Sequence, residues 1–353
     1  MKLFVFLLFL SLSSLSSQLF AQVNNDTLIS FVSKKIASMP NGFVVSIALL
    51  KDEEVNYIGL AKENDHLVVK EFKDSLFEIG SLTKVFTSSL LAHEVVNNNL
   101  KLRKPINKLF PYKFKDEIKL SYQELANHTS GMYRLPSNIL PLIIRNMDNP
   151  YSEYSFHLFD KYLQQELQIQ QSDFPKYSYS NLGAGLLAYA LSIKREEPFE
   201  NLLSEIIFTQ YGMVNTAFDI NTSFHGMDAY GQIAENWQFK ALKGAGGLIS
   251  NTSDLSKFVI AQFDSNNCSL SLTRKATHSI SDSMSIGLGW HIINPNSSDL
   301  KYWHNGGTGG FTSSISFRTL NKTGVIILSN ISSLHKRSKI IDELCFQLLD
   351  VLE

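Results

Sequence analysis

With 353 residues, 44% of them hydrophobic, the chain carries enough apolar material for a sizeable buried core, in one large domain or two interleaved ones. Lys and Arg total 32 and Asp and Glu 33, a net charge of -1, which excludes recognition of nucleic acid or an anionic membrane by bulk electrostatics. No block of like charge, low-complexity tract or internal repeat interrupts it.

At the N-terminus, Lys2 precedes the apolar run Leu3 to Leu10, and a Ser-rich segment follows as far as Leu19-Phe20-Ala21. These are the parts of a secretory signal peptide, and the run is too short to span a bilayer comfortably. Cleavage after Ala21 is expected, leaving residues 22–353 as one domain in the periplasm or outside the cell. An uncleaved anchor is the second reading, and no Cys near the site supports a lipid anchor. Cys268 and Cys345 are the only cysteines, so no disulfide framework holds the fold, and free thiols are expected over a pair. Asn-x-Ser/Thr triplets at Asn25, Asn221 and Asn251 are what chance supplies in a chain so rich in Asn and Ser.

From Thr27 to Ser38, apolar residues at Leu28, Phe31, Val32, Ile36 and Ala37 predict a helix. Gly42 to Leu50 and Val55 to Leu60 predict two strands around a polar turn, Lys51 to Glu54. Phe77 to Gly80 leads into a helical pattern that starts at Ser81 and runs through Val96, where Asn97-Asn98-Asn99 ends it. From about 85 to 235 strand alternation is lacking, and helices are predicted over Ile139 to Asn146, Ser155 to Gln165, Leu182 to Ile193 and Phe199 to Gln210. The polar stretch Ser265 to Ser283 reads as a surface insertion. Strand character returns at Tyr302 to His304, Thr312 to Arg318 and Val325 to Ser329, and an amphipathic helix over Lys339 to Leu352 closes the chain. The expected fold is α/β, of the α+β type. N- and C-terminal strands form one antiparallel sheet flanked by helices (22–84 with about 236–353). A mostly helical lobe (about 85–235) is inserted, with a cleft between the two.

Three segments carry candidate chemistry. In Ser81-Leu82-Thr83-Lys84 the spacing places both side chains on one helix face, and a buried Lys84 can act as the base that a serine nucleophile needs. The same spacing at Ser298/Lys301 and Ser333/Lys336 falls in loop-like sequence; what sets Ser81 apart is a strand-like entry, a preceding Gly and a strongly apolar helix after it. In Tyr179-Ser180-Asn181 the phenol can relay a proton, provided nearby cations lower its pKa, and Asn181 can hold a substrate amide; a surface turn is the plain alternative. The glycines of Gly183 to Ala188 follow no hydrophobic strand, so they read as close helix packing and not as a dinucleotide fingerprint. In Trp303 to Gly310 the dense glycines suit close approach of a substrate backbone, and the amides of Ser81 and Gly307 can form an oxyanion hole; a flexible hairpin is the alternative. No His-Glu-x-x-His pair or Gly-x-Ser-x-Gly elbow is present, so neither a metal nor an α/β-hydrolase is expected, and His128 reads as a loop-holding residue.

Taken together, Ser81-Leu-Thr-Lys84, Tyr179-Ser-Asn181 and His304-Asn305-Gly306 resemble the three motifs of the serine β-lactamase and penicillin-binding family, S-x-x-K, S-D-N and K-T-G. Tyr-x-Asn in the second position is similar to class C β-lactamases and their DD-carboxypeptidase and esterase relatives. Phe77 to Thr87, Leu125 to Gly131, Gly244 to Ser250 and Gly287 to Trp290 resemble further segments of that family, so the likeness runs from about 40 to 335. It implies acyl transfer without a cofactor. Ser81 is acylated, Lys84 and Tyr179 manage its proton, and Asn181, His304, Asn305, Gly306 and Gly307 bind substrate. The Ser81 and Gly307 amides hold the oxyanion. It implies D-alanyl peptides of peptidoglycan as substrate and recognition of β-lactams; separately, a monomer is expected. A class C-type β-lactamase, an esterase or D-amino-acid amidase, and an inactive binding homologue are the alternatives. His304 departs from the usual Lys. A protonated His304 docking a substrate carboxylate predicts weaker binding as pH rises through its pKa, and a packed structural histidine is the other reading.

Overall fold

The computed structural model describes residues 25–170 and 175–352; the expected signal peptide and its cleavage site lie outside the described residues. The first strands are β1 (Val44–Lys51), β2 (Glu54–Glu63) and β3 (His66–Val69). Four short strands, β4 (Phe77–Glu78), β5 (Gly226–Met227), β6 (Ile233–Ala234) and β7 (Ile249–Ser250), pair as β4 with β7 and β5 with β6. Six more follow: β8 (His278–Ser281), β9 (Met284–Ile286), β10 (His291–Ile293), β11 (Lys301–Gly307), β12 (Thr312–Arg318) and β13 (Thr323–Ser329). The main sheet has nine strands in the order β3-β2-β1-β13-β12-β11-β10-β9-β8. Every neighbouring pair in it is antiparallel, and β1 lies beside β13 as the sequence predicts.

β1 is apolar from Val44 to Leu50 except at Ser46 because both faces of the sheet are covered. Val45, Ile47 and Leu49 face the first helix, Asn25–Ile36, and the last, Ile340–Val351, through Leu28, Val32, Leu344 and Leu348. Val44, Ala48 and Leu50 point the other way, into a core that runs on through Phe86, Leu90, Leu186 and Leu203. Each such buried side chain contributes about 1.5–3 kcal/mol. Ser46, the one polar residue in the run, is satisfied by the Phe72 carbonyl at 3.1 Å and the Thr252 hydroxyl at 2.9 Å.

The predicted helices appear at Leu140–Arg145, Phe156–Lys161 with a π turn after it, Asn181–Arg195, and Phe199–Tyr211 with a π segment at Leu203–Phe208. The glycines of 183–188 pack as expected: a Cβ on Gly185 would lie 2.4 Å from Leu242 Cδ2. Residues 265–283 are not an insertion. They form the helix Cys268–Arg274, which buries Leu270 and Thr273, and then β8, the outer strand of the sheet. Its residues alternate half-buried with exposed, His278 and Ile280 inward and Ser279 and Ser281 outward, but four residues are too short a run to read as a strand within a polar stretch. Cys345 and Cys268 are both free thiols, Cys345 buried and Cys268 exposed. Among the described residues no helix is long and apolar enough to cross a membrane.

Candidate active site

Ser81 sits in a 3-10 turn, Gly80–Leu82, that opens the helix Thr83–Val96, so it precedes the α-helix instead of starting it. The contact expected from the spacing is made all the same: Lys84 Nζ lies 2.9 Å from Ser81 Oγ. The amine is buried and donates to the Ala245 carbonyl at 2.7 Å. Burial, reinforced by the charge of Arg134, holds Lys84 well below the ordinary lysine range. A neutral amine has a lone pair for the serine proton, which an ammonium lacks.

Tyr179 completes the group. Lys84 Nζ is 4.8 Å from the centre of its ring, and its hydroxyl is hydrogen-bonded to Ser81. The sequence reading made its relay role conditional on cations lowering the phenol. Arg134 and the bond to Ser81 do act in that direction, but burial outweighs them and the pKa is raised. Tyr179 therefore remains a phenol, able to pass a proton on but unsuited to removing one. His128 holds the loop that presents it. Its carbonyl accepts from Ser178 N at 2.8 Å, its Nδ1 from Ser180 N at 3.2 Å, and its ring lies 4.6 Å from that of Tyr179.

The protonated His304 expected to dock a carboxylate is not what the structure holds. The side chain is buried, and burial, with His291 and Lys84 nearby, keeps it well below the usual histidine range. Its Nδ1 donates to the Asn305 carbonyl at 2.6 Å, so the neutral ring keeps its lone pair on Nε2. The ring packs between Tyr179 and His291, with centres 6.3 and 5.4 Å away. Asn181 is also buried and donates to Tyr151 Oη at 3.0 Å, while Asn305 donates to Asp342 Oδ2 at 2.7 Å and faces the cleft.

The glycines that the sequence reads as room for a substrate backbone first make room for the chain's own. A Cβ on Gly306 would lie 1.9 Å from the Ile79 carbonyl oxygen and 2.9 Å from Ser81 N. Gly80, at φ +50, would bring one to 2.5 Å from Gly307 N. The end of β11 is thus pressed against the turn that carries Ser81, with Gly306 against the Ser81 amide and Gly307 against Gly80. Ser81, Tyr179, Asn305, Gly306 and Gly307 line one cleft of about 500 Å³. A larger concavity of about 810 Å³ beside β5 and β6 contains none of them. Among the described residues no group of three or more His, Cys, Asp or Glu could hold a metal ion.

Sequence reasoning missed the Ala245 carbonyl, which anchors Lys84, and the cleft residues Arg134, Tyr177 and His291. Nothing in the sequence marks a backbone acceptor 161 residues away in the chain. Glu78 was missed too. It accepts from Trp237 N at 2.6 Å and from the Thr308 hydroxyl, and burial raises its carboxyl from 4.5 to about 7. Because the folded protein binds this proton more tightly, the stability it contributes is full below pH 4.5 and is lost as pH rises through about 7. Glu78→Gln should remove roughly 3 kcal/mol of that pH dependence, read from urea unfolding between pH 4.5 and 8. An unchanged slope would place the proton elsewhere.

Comparison with known proteins agrees with this geometry. Residues 42–346 match the Beta-lactamase family model. A β-lactamase of Pseudomonas fluorescens is 24% identical over 330 residues, 81% of this chain and 88% of that one. A β-lactamase of Providencia stuartii is 26% identical over 261 residues, 71% of this chain but only 62% of its own length. Two solved structures share the fold at 20% identity. The octameric penicillin-binding protein homologue of Pyrococcus abyssi superposes with a TM-score of 0.77, over 93% of this chain and 78% of the other. The β-lactamase/D-alanine carboxypeptidase of Pseudomonas syringae gives 0.74, over 93% and 99%. A family match that runs from the start of the first β-hairpin into the last helix, on this fold, makes the chain a member of the β-lactamase family of serine hydrolases.

Proposed function

We propose that this protein is an exported acyl-hydrolase that forms a Ser81 acyl-enzyme on D-alanyl peptides of peptidoglycan and recognises β-lactams. The observation that carries the acyl-enzyme is the buried Lys84 amine 2.9 Å from Ser81 Oγ, which burial holds well below the ordinary lysine range. Ser81 Oγ attacks the carbonyl as its proton passes to Lys84 Nζ. The Ser81 and Gly307 amides hold the oxyanion, and the proton returns through the Tyr179 hydroxyl to the departing nitrogen or oxygen. Water then enters by the same route in reverse and releases the acid. Preference for peptides is supported by the third motif. A neutral, enclosed His304 stands where β-lactamases of class C resemblance have a permanent cation. Export rests on the N-terminal sequence. The second reading, a β-lactamase proper, is favoured by the curated relatives that carry that name.

Intact mass followed over time with excess benzylpenicillin separates these readings. A long-lived adduct that Ser81→Ala abolishes is the expected result. A transient adduct with fast loss of the drug would make the enzyme a β-lactamase. No adduct and no loss would overturn the penicillin-recognising reading in favour of an esterase or amidase.

A further inference from the structure

Once His304 is neutral and enclosed, the cleft lacks the cation that the sequence led one to expect in its third motif. Arg134, which none of the motifs includes, lines the same cleft as Ser81 and Tyr179. Its main chain is fixed: the carbonyl accepts from Asn181 N at 3.0 Å and Leu182 N at 3.1 Å, the amides that open the helix Asn181–Arg195. Its guanidinium carbon stands 5.1 Å from the centre of the Tyr179 ring, the ring that Lys84 Nζ approaches at 4.8 Å. A guanidinium held against an aromatic ring is oriented without being neutralised. The side chain is exposed to the cleft solvent, and among the described residues it forms no ion pair.

The other charged groups offer no substitute at that place. Lys84 is enclosed and held well below the ordinary lysine range, and burial likewise keeps His128, His291 and His304 below the usual histidine range. Lys339, on the rim at the head of the last helix, is a point charge without a fork of donors. An oriented, unpaired guanidinium beside the proton-relaying phenol is a receptor for a planar anion, and a carboxylate fits its two parallel N–H groups.

We infer that Arg134 determines the specificity of this cleft by receiving a carboxylate that the substrate carries close to the scissile carbonyl. The inference deepens the reading of Ser81 as the acylated residue and takes over the charge recognition that His304 does not supply. It is a binding role, distinct from any influence of the Arg134 charge on Lys84, and the two separate in experiment.

The test compares matched esters with and without a carboxylate: glutaryl against pentanoyl esters of 4-nitrophenol, and 3-carboxyphenyl against phenyl esters of one acyl group. The readout is the ratio of kcat/KM, acid over neutral. Arg134→Gln should lower that ratio roughly 10- to 100-fold for at least one pair, the range expected for a hydrogen-bonded charge. Arg134→Lys should restore only part of it, and Lys339→Gln should move it less than Arg134→Gln does. An unchanged ratio overturns the inference, including the case where both members of a pair slow together and the pH profile shifts, which is the signature of action through Lys84. A ratio governed by Lys339 overturns it as well. A second measurement needs no turnover: calorimetric binding of N-acetyl-D-alanyl-D-alanine and its C-terminal amide to Ser81→Ala, with and without Arg134→Gln. Loss of the acid's advantage supports the inference, and equal affinities for acid and amide in Ser81→Ala alone defeat it. Failure of the acyl-enzyme reading would show instead as the absence of any Ser81 adduct.

Discussion

Lys84→Met should slow acylation of Ser81 by about 10³- to 10⁴-fold while raising the stability of the fold below pH 10. Methionine has nearly the length and volume of the lysine side chain, so it can fill the space without a cavity. What is lost is the lone pair 2.9 Å from Ser81 Oγ, and with it the means of removing the serine proton. What is gained follows from linkage. The folded pKa of Lys84 lies well below 10.5, so the unfolded chain binds a proton that the folded chain does not. The contribution of this group to stability is fully present above pH 10.5 and declines as pH falls toward the folded value. Methionine has no proton to bind in either state, and that decline should vanish in the variant. The bond to the Ala245 carbonyl, worth about 1 kcal/mol, is forfeited and offsets part of the gain. Rapid-mixing kinetics of adduct formation, with thermal unfolding from pH 6 to 10, check both halves. A variant that keeps its acylation rate would remove Lys84 from the base role; one that loses stability at every pH would mean that the buried amine is ionised.

Much of this was legible in the sequence because the responsible signals are local. β1 is a run of apolar residues bounded by turn chemistry, the helix after Ser81 is apolar over several turns, and Ser81 and Lys84 are three residues apart. Contact between residues three apart follows from backbone geometry, even with Ser81 in a 3-10 turn. The states of charge were not legible. His304 is neutral because the tertiary fold encloses it between Tyr179 and His291, residues 125 and 13 positions away along the chain. Tyr179 keeps its proton because desolvation exceeds the pull of Arg134, a balance of two effects that only three-dimensional burial decides. Arg134 and the Ala245 carbonyl escaped notice for the same reason: their meaning lies in what they face. The outer strand β8 escaped for another, since its alternation extends over only four residues inside a polar stretch.

Gly306→Ala should cost the fold about 3 kcal/mol and reduce turnover by a larger factor than the stability loss alone explains. The new methyl group would sit 1.9 Å from the Ile79 carbonyl oxygen, 2.6 Å from Ser313 Oγ and 2.9 Å from Ser81 N, none of them the far end of a flexible chain. Relief requires β11 to move away from the Ser81 turn. β11 is paired with β12 through Gly306 opposite Ser313, and Ser313 Oγ donates to the same Ile79 carbonyl at 2.8 Å. The shift therefore breaks a buried hydrogen bond as well as loosening the β11–β12 pairing. It also separates the Gly307 amide from that of Ser81, and a displacement of about 1 Å at an oxyanion site is enough for a hundredfold loss. The two consequences can be told apart by measuring kcat well below the unfolding temperature of the variant, where the folded fraction is complete. Full activity there, with or without lost stability, would mean that Gly307 N–H does not face the reacting carbonyl. A deficit that persists in fully folded protein would tie this glycine to the approach of two backbone segments, and through it to the place where the oxyanion forms.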